Sequence, residues 1–185
     1  MPSGISTPPK HTMHAMLCNQ NLELDAEILC QDKARNLMLI RIREMPRAYP
    51  VMRFCDSSNV PVRSNVLLVA YLNTFPNRFS FGPGPVPEVL LFMLPGACPG
   101  KTAEPPQDTS GVVSHTCVGH GLEGCLGGPL IFQGRVIGVH TGSDLQIRHG
   151  HATSTESVNA AMKDWLQIPP DASKTTGEMI QSFPF

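Results

Sequence analysis

Residues 121–142 read GLEGCLGGPLIFQGRVIGVHTG, and this stretch carries more about the fold than any other. Four glycines, Gly121, Gly124, Gly127 and Gly128, surround Cys125 and Leu126. Two short apolar runs follow, PLIF and RVIGVH, separated by Gln133-Gly134. Short apolar and β-branched runs flanking a two-residue Gly-containing turn predict a β-hairpin. A Gly-rich loop feeding directly into that hairpin lets another chain approach the backbone closely, because glycine has no Cβ.

The remainder of the chain is consistent with an all-β architecture. Eighteen Pro and sixteen Gly in 185 residues punctuate the sequence into short segments, and helical periodicity is scarce. Strand-like runs occur at 22–30 (LELDAEILC), 36–42 (NLMLIRI), 48–54 (AYPVMRF) and 65–72 (NVLLVAYL). Another strand pair is expected within RFSFGPGPVPEVLLFML, and further strands in GVVSHTCV, PLIFQG, RVIGVHTG and GHATS. One helix is expected over 154–168, with Ser154 or Thr155 as its N-cap and Glu156 in its first turn. The resulting expectation for the domains is a flexible lead-in at 1–10 and an N-terminal β unit at 11–94. A linker loop at 95–111, a C-terminal β unit with its helix at 112–168, and a tail at 169–185 complete it.

Hydrophobic residues make up 41% and charged residues 16% of the chain, with a net charge of −1. A chain this long can bury roughly 70% of its unfolded surface. This balance argues against a disordered chain or a strongly basic nucleic-acid binder. The longest apolar runs fall well short of the roughly 20 residues a membrane helix needs, so no membrane span is expected. No secretory leader is recognised at the start, and the six cysteines show no C-x-x-C pair. Reduced thiols are therefore expected rather than a disulfide framework. Cys117, His120 and Cys125 match no common zinc spacing, and no metal site is assigned.

The sequence resembles the picornavirus 3C-type cysteine proteases, which have a chymotrypsin-like double β-barrel. The loop G-C-L-G-G is similar to that family's Gly-x-Cys-Gly-Gly, and GVH falls where its Gly-x-His follows the nucleophile. LDAEILCQDKARNLMLIRI resembles the paired strands that carry its third catalytic residue, and His14-Ala15 its general base. The likeness runs over roughly residues 11–162. It implies an all-β, chymotrypsin-like double barrel with a C-terminal helix, its N-terminal barrel incomplete because only 13 residues precede His14. It implies a cysteine endopeptidase that cleaves a viral polyprotein after Gln, in the host cell cytoplasm, without a cofactor. In that mechanism Cys125 is the nucleophile and His14 its base, with Asn36, or Asp32 in its place, orienting the imidazole. Gly124 and Cys125 supply the oxyanion hole, while His140, Thr116 and Gly142 line the pocket for the Gln side chain. The family's RNA-binding motif is reduced here to Arg43 and Arg47.

The resemblance departs from the family at identifiable positions. Aligning the loop glycines puts Leu126 at the nucleophile position and Cys125 one place before it. If Cys125 is the nucleophile instead, Glu123 falls where an oxyanion-hole glycine is needed. The third catalytic residue is Asn rather than Asp or Glu, an arrangement that Cys-His-Asn proteases of other folds tolerate. A silent protease homologue that binds peptide, a partner protein or RNA is thus the second expectation. A trypsin-like serine protease relative, suggested by GGPL, is a third.

Overall fold

The computed structural model describes residues 13–17, 22–45, 48–73, 89–97, 111–117, 125–144, 146 and 149–183. It is mostly β, with a curled half-barrel sheet and a short C-terminal helix. The chain divides into two units, Met1–Val51 and Met52–Phe185.

The first unit is an antiparallel sheet of β1 (Met13–Leu17), β2 (Leu22–Asp32) and β3 (Leu37–Ile42), in that order. β2 and β3 are joined by the tight turn at 33–36, as the polar run QDKAR predicts. Asp32 Oδ1 accepts a hydrogen bond from Arg35 N–H at 3.0 Å, and its Oδ2 pairs with the Arg35 guanidinium at 2.6 Å. Asn36 closes the turn in the left-handed region, at φ 55°, a conformation Asn tolerates better than most residues. Near the far end of β2, Glu27 Oε2 pairs with both Arg41 (2.7 Å) and Arg43 (2.6 Å). The two guanidinium groups hold its carboxyl down at about 2.

The second unit is a six-stranded antiparallel sheet. It uses β4 (Asn65–Asn73), β5 (Val89–Ala97), β6 (Val112–His115), β7 (Pro129–Phe132), β8 (Arg135–Asp144) and β9 (His149–Ser154). Their order across the sheet is β5-β4-β7-β8-β9-β6. The end of β5 approaches the residues that follow β6: a Cβ built on Gly96 would stand 2.6 Å from Cys117 Sγ. Curling of this kind lets one face bury itself without a second sheet. The enclosed core comprises Val66, Leu68, Cys117, Cys125, Leu130, Ile137 and Ala152.

The hairpin of β7 and β8 forms where the sequence predicts it. Gln133 and Gly134 both have positive φ, 47° and 76°, the twist a two-residue hairpin requires. Helix α1 (Thr155–Leu166) starts directly after β9, and Ser154 caps it by accepting from Ser157 N–H at 3.2 Å.

Three expectations about organisation change. The boundary expected at 95–111 falls instead between Val51 and Met52, because β4 pairs with β5 on one side and β7 on the other. The segment expected as an N-terminal unit at 11–94 is thereby split. AYPVMRF forms no strand; only Phe54 makes a single bridge, to Val136. The expected tail contains α2 (Thr176–Gln181), opened by a capping box between Thr175 and Glu178. The lead-in at 1–10 and most of the 95–111 segment lie outside the described residues.

Candidate functional site

The Gly-rich turn is built by backbone bonds between the end of the loop and β8. Gly127 N–H donates to the His140 carbonyl and His140 N–H donates to the Gly128 carbonyl, each at 2.8 Å. Gly128 N–H returns to the Cys125 carbonyl at 3.0 Å. These bonds fix which side chain faces in. Cys125 is buried at 0% exposure inside the core cluster, whereas Leu126 stands at the tip with 64% of its surface in solvent. Burial pushes the Cys125 thiol pKa upward. A thiol is nucleophilic only as thiolate, and burial in the cluster with Leu68 and Leu130 disfavours that form. Gly124, the other expected oxyanion-hole residue, lies outside the described residues.

His140, expected to line a substrate pocket, is 2% exposed and belongs to a buried chain of hydrogen bonds. Cys117 N–H donates to His115 Nδ1 at 3.2 Å. His115 Nε2 lies 3.1 Å from His140 Nδ1, and His140 Nε2 lies 3.3 Å from Ser143 Oγ. Because His115 Nδ1 already accepts, its ring carries its hydrogen on Nε2 and donates to His140 Nδ1. His140 is then protonated on Nε2, facing Ser143. Desolvation, followed by repulsion from His140, brings His115 down to about 4. Desolvation likewise lowers His140, with His151 adding to the effect and the His151 backbone partly opposing it.

Gly150 makes this pair geometrically feasible. β6 and β8 are not neighbours; β9 lies between them, with Gly150 paired to His115 on one side and Ser143 on the other. The His115 ring crosses β9 at Gly150, where any Cβ would collide with it. His115, wholly buried, precedes the loop beside Thr116 and has no role assigned from the sequence. Its signal was present in SHTCV and HGH, one histidine beside the loop and one glycine between two others, but strand pairing was needed to connect them.

The other expected pocket residues divide. Gly142 follows a β-bulge after His140, with open space where a Cβ would be. Thr116 is exposed just past β6, two strands from β8.

The catalytic residues expected in the first unit are not brought together within it. His14 pairs in register with Asp25, near the start of β2, and its side chain lies outside the described residues. Asn36 sits beyond the Asp32–Leu37 pair at the far end of β2. Seven residues of strand separate the two levels, roughly 23 Å at 3.3 Å per residue. Asp32, the alternative orienting residue, is engaged by Arg35. Arg43, expected to contact RNA, shares the Glu27 carboxylate with Arg41, and Arg47 lies outside the described residues.

A pocket of about 370 Å³ in the second unit is lined by Cys55, Asp56, Asn59, Val60, Phe132, Gln133 and Arg135. None of the expected site residues lines it. Among the described residues no group of three or more His, Cys, Asp or Glu side chains is placed to hold a metal ion. No helix among them is long and apolar enough to cross a membrane. No protein-family model matches the sequence, and comparison with curated proteins finds no match.

Proposed function

We propose that the chain is a catalytically silent homologue of chymotrypsin-like proteases, a β-barrel module that binds a polypeptide partner and does not cleave it. One observation carries this reading: the loop that would present a nucleophile presents Leu126 to solvent and keeps the Cys125 thiol in the core. The barrel part of the reading is supported by a curled six-stranded antiparallel sheet in which Gly96 of β5 approaches Cys117, just past β6. The silent part is supported by the separation of His14 from Asn36 along β2. A protein partner is preferred over RNA because Arg43 spends its charge on Glu27.

The second reading is the working enzyme, a cysteine endopeptidase cleaving a viral polyprotein after Gln in the host cytoplasm. It is favoured by His140, fifteen positions past Cys125, whose Nε2 lies 3.3 Å from the hydroxyl of exposed Ser143. In that geometry it could donate to a glutamine side-chain carbonyl.

Incubation with a peptide carrying Gln before the scissile bond separates the two, run beside a Cys125→Ala control. The silent reading expects no cleavage by either protein, and native alkylation of Cys125 slower than that of half-buried Cys55. Cleavage that disappears in Cys125→Ala would establish the enzyme and overturn the silent reading.

A further inference from the structure

His140 takes part in two structures at once. Its backbone N–H and carbonyl hold Gly128 and Gly127, while its side chain ends the buried chain that starts at Cys117 N–H. We infer that the His115–His140 pair is an acid-released latch, one that fastens the Gly-rich turn 125–128 to the sheet while both rings are neutral and lets it go when either takes a proton.

Apart from the His151 backbone beside His140, the described geometry gives that proton no acceptor. A neutral ring can be protonated only on its free nitrogen, which is Nδ1 in both histidines. On His115, the new N–H would point at the Cys117 N–H that Nδ1 now accepts. On His140, it would point at the His115 Nε2–H. Either event replaces a hydrogen bond by two opposed donors within a buried site, and an unsatisfied buried donor is costly. The His115 ring lies directly over Gly150, where even a Cβ would collide with it.

Among the described residues, no carboxylate is one of the groups that act on the pair. The groups acting on the pair from β9 are His149 and His151, both of the same sign once protonated. On β8, Asp144 is the register partner of His149. The turn contributes only the Cys125 thiol. The described side chains of β4 and β7 add no titratable group. On α1, Glu156 is tied to Ser57 and Ser58, and Lys163 to the Pro170 carbonyl. Desolvation favours the neutral rings in both cases, so the latch is closed at neutral pH and opens on acidification. It operates whether the turn is catalytic or silent.

Cysteine labelling of the intact chain tests this. A dipyridyl disulfide reacts with thiols in acid as well as at neutrality, and mass spectrometry of the digest reports each site. Relative to Cys55, labelling of Cys117 and Cys125 should rise about tenfold or more between about pH 7.5 and about pH 5, below the ordinary histidine pKa. The far-UV circular dichroism of the sheet should persist over that range. An unchanged ratio, or a rise that comes only with loss of the sheet signal, would overturn the latch. His115→Gln retains an acceptor for Cys117 N–H and a donor toward His140 but does not titrate, so its turn should stay protected to lower pH. A wild-type acid profile in that variant counts against the proposal. Imidazole ¹⁵N spectra of the unmodified chain provide a check that needs no variant. Both rings should be neutral Nε2–H tautomers at about pH 7.5, and an Nδ1–H tautomer on either would contradict the latch.

Discussion

Leu126 and Cys125 are adjacent in sequence and opposite in environment, and the difference should be measurable in stability. Cys125→Ala removes a fully buried sulfur from the core and should cost about 1–2 kcal/mol in denaturant unfolding, as small core truncations do. Leu126→Ala, at a solvent-exposed tip, should change stability by less than about 0.5 kcal/mol. A larger effect at Leu126 than at Cys125 would mean that the turn is inverted relative to this structure. Gly150→Ala is the sharper test of the histidine pair. Its methyl would occupy space filled by the His115 ring, and overpacking of this kind costs about 1–3 kcal/mol. The same substitution should abolish the His115–His140 coupling in ring ¹⁵N spectra.

At the scale of elements, the β7–β8 hairpin and helix α1 were legible because their signals are local. Gln133-Gly134 supplies the positive φ of the turn, and Ser154 supplies a capping oxygen. Ser154→Ala should therefore lower stability by about 1 kcal/mol, read by thermal melting, and Ser154→Asp should recover most of that loss. Helix α2 has an equally local signal in Thr175-x-x-Glu178, a capping box, set in a run whose Pro, Ser and Thr content otherwise reads as a tail. AYPVMRF fails as a strand for a non-local reason. Its one bridge to Val136 occupies a stretch of β8 beyond the last β9 partner, Ser154 opposite Gly138, and the segment extends no further along the sheet.

For the molecule as a whole, acid should act in two stages. His115 is held at about 4, below its ordinary value near 6.5, so the unfolded chain binds more protons than the folded one in that window. Its contribution is complete above about pH 6.5 and is lost as the pH falls toward about 4. The Glu27 carboxyl is held at about 2 by Arg41 and Arg43. What it contributes is present above the usual carboxylate range and disappears only as the pH nears 2. Melting temperature against pH should fall first between about 6.5 and 4. His115→Gln should flatten that first stage and leave the second unchanged. The second unit holds its own six-stranded sheet and core, so residues 52–185 expressed alone should still unfold cooperatively.

Sequence alone determined the β character of this chain, its central hairpin, its main helix and the polar turn at 33–36. Each follows from spacing and turn chemistry within a dozen residues. Tertiary structure alone decided the rest: that β4 belongs with β7, that Cys125 faces inward while Leu126 faces out, and that His115 meets His140 through the gap at Gly150. Those outcomes depend on strand order and register, and register determines which of two neighbouring side chains enters the core. A shift of one residue along a strand exchanges the buried face for the exposed one. That one-residue distinction is what puts Cys125 in the core and Leu126 in solvent.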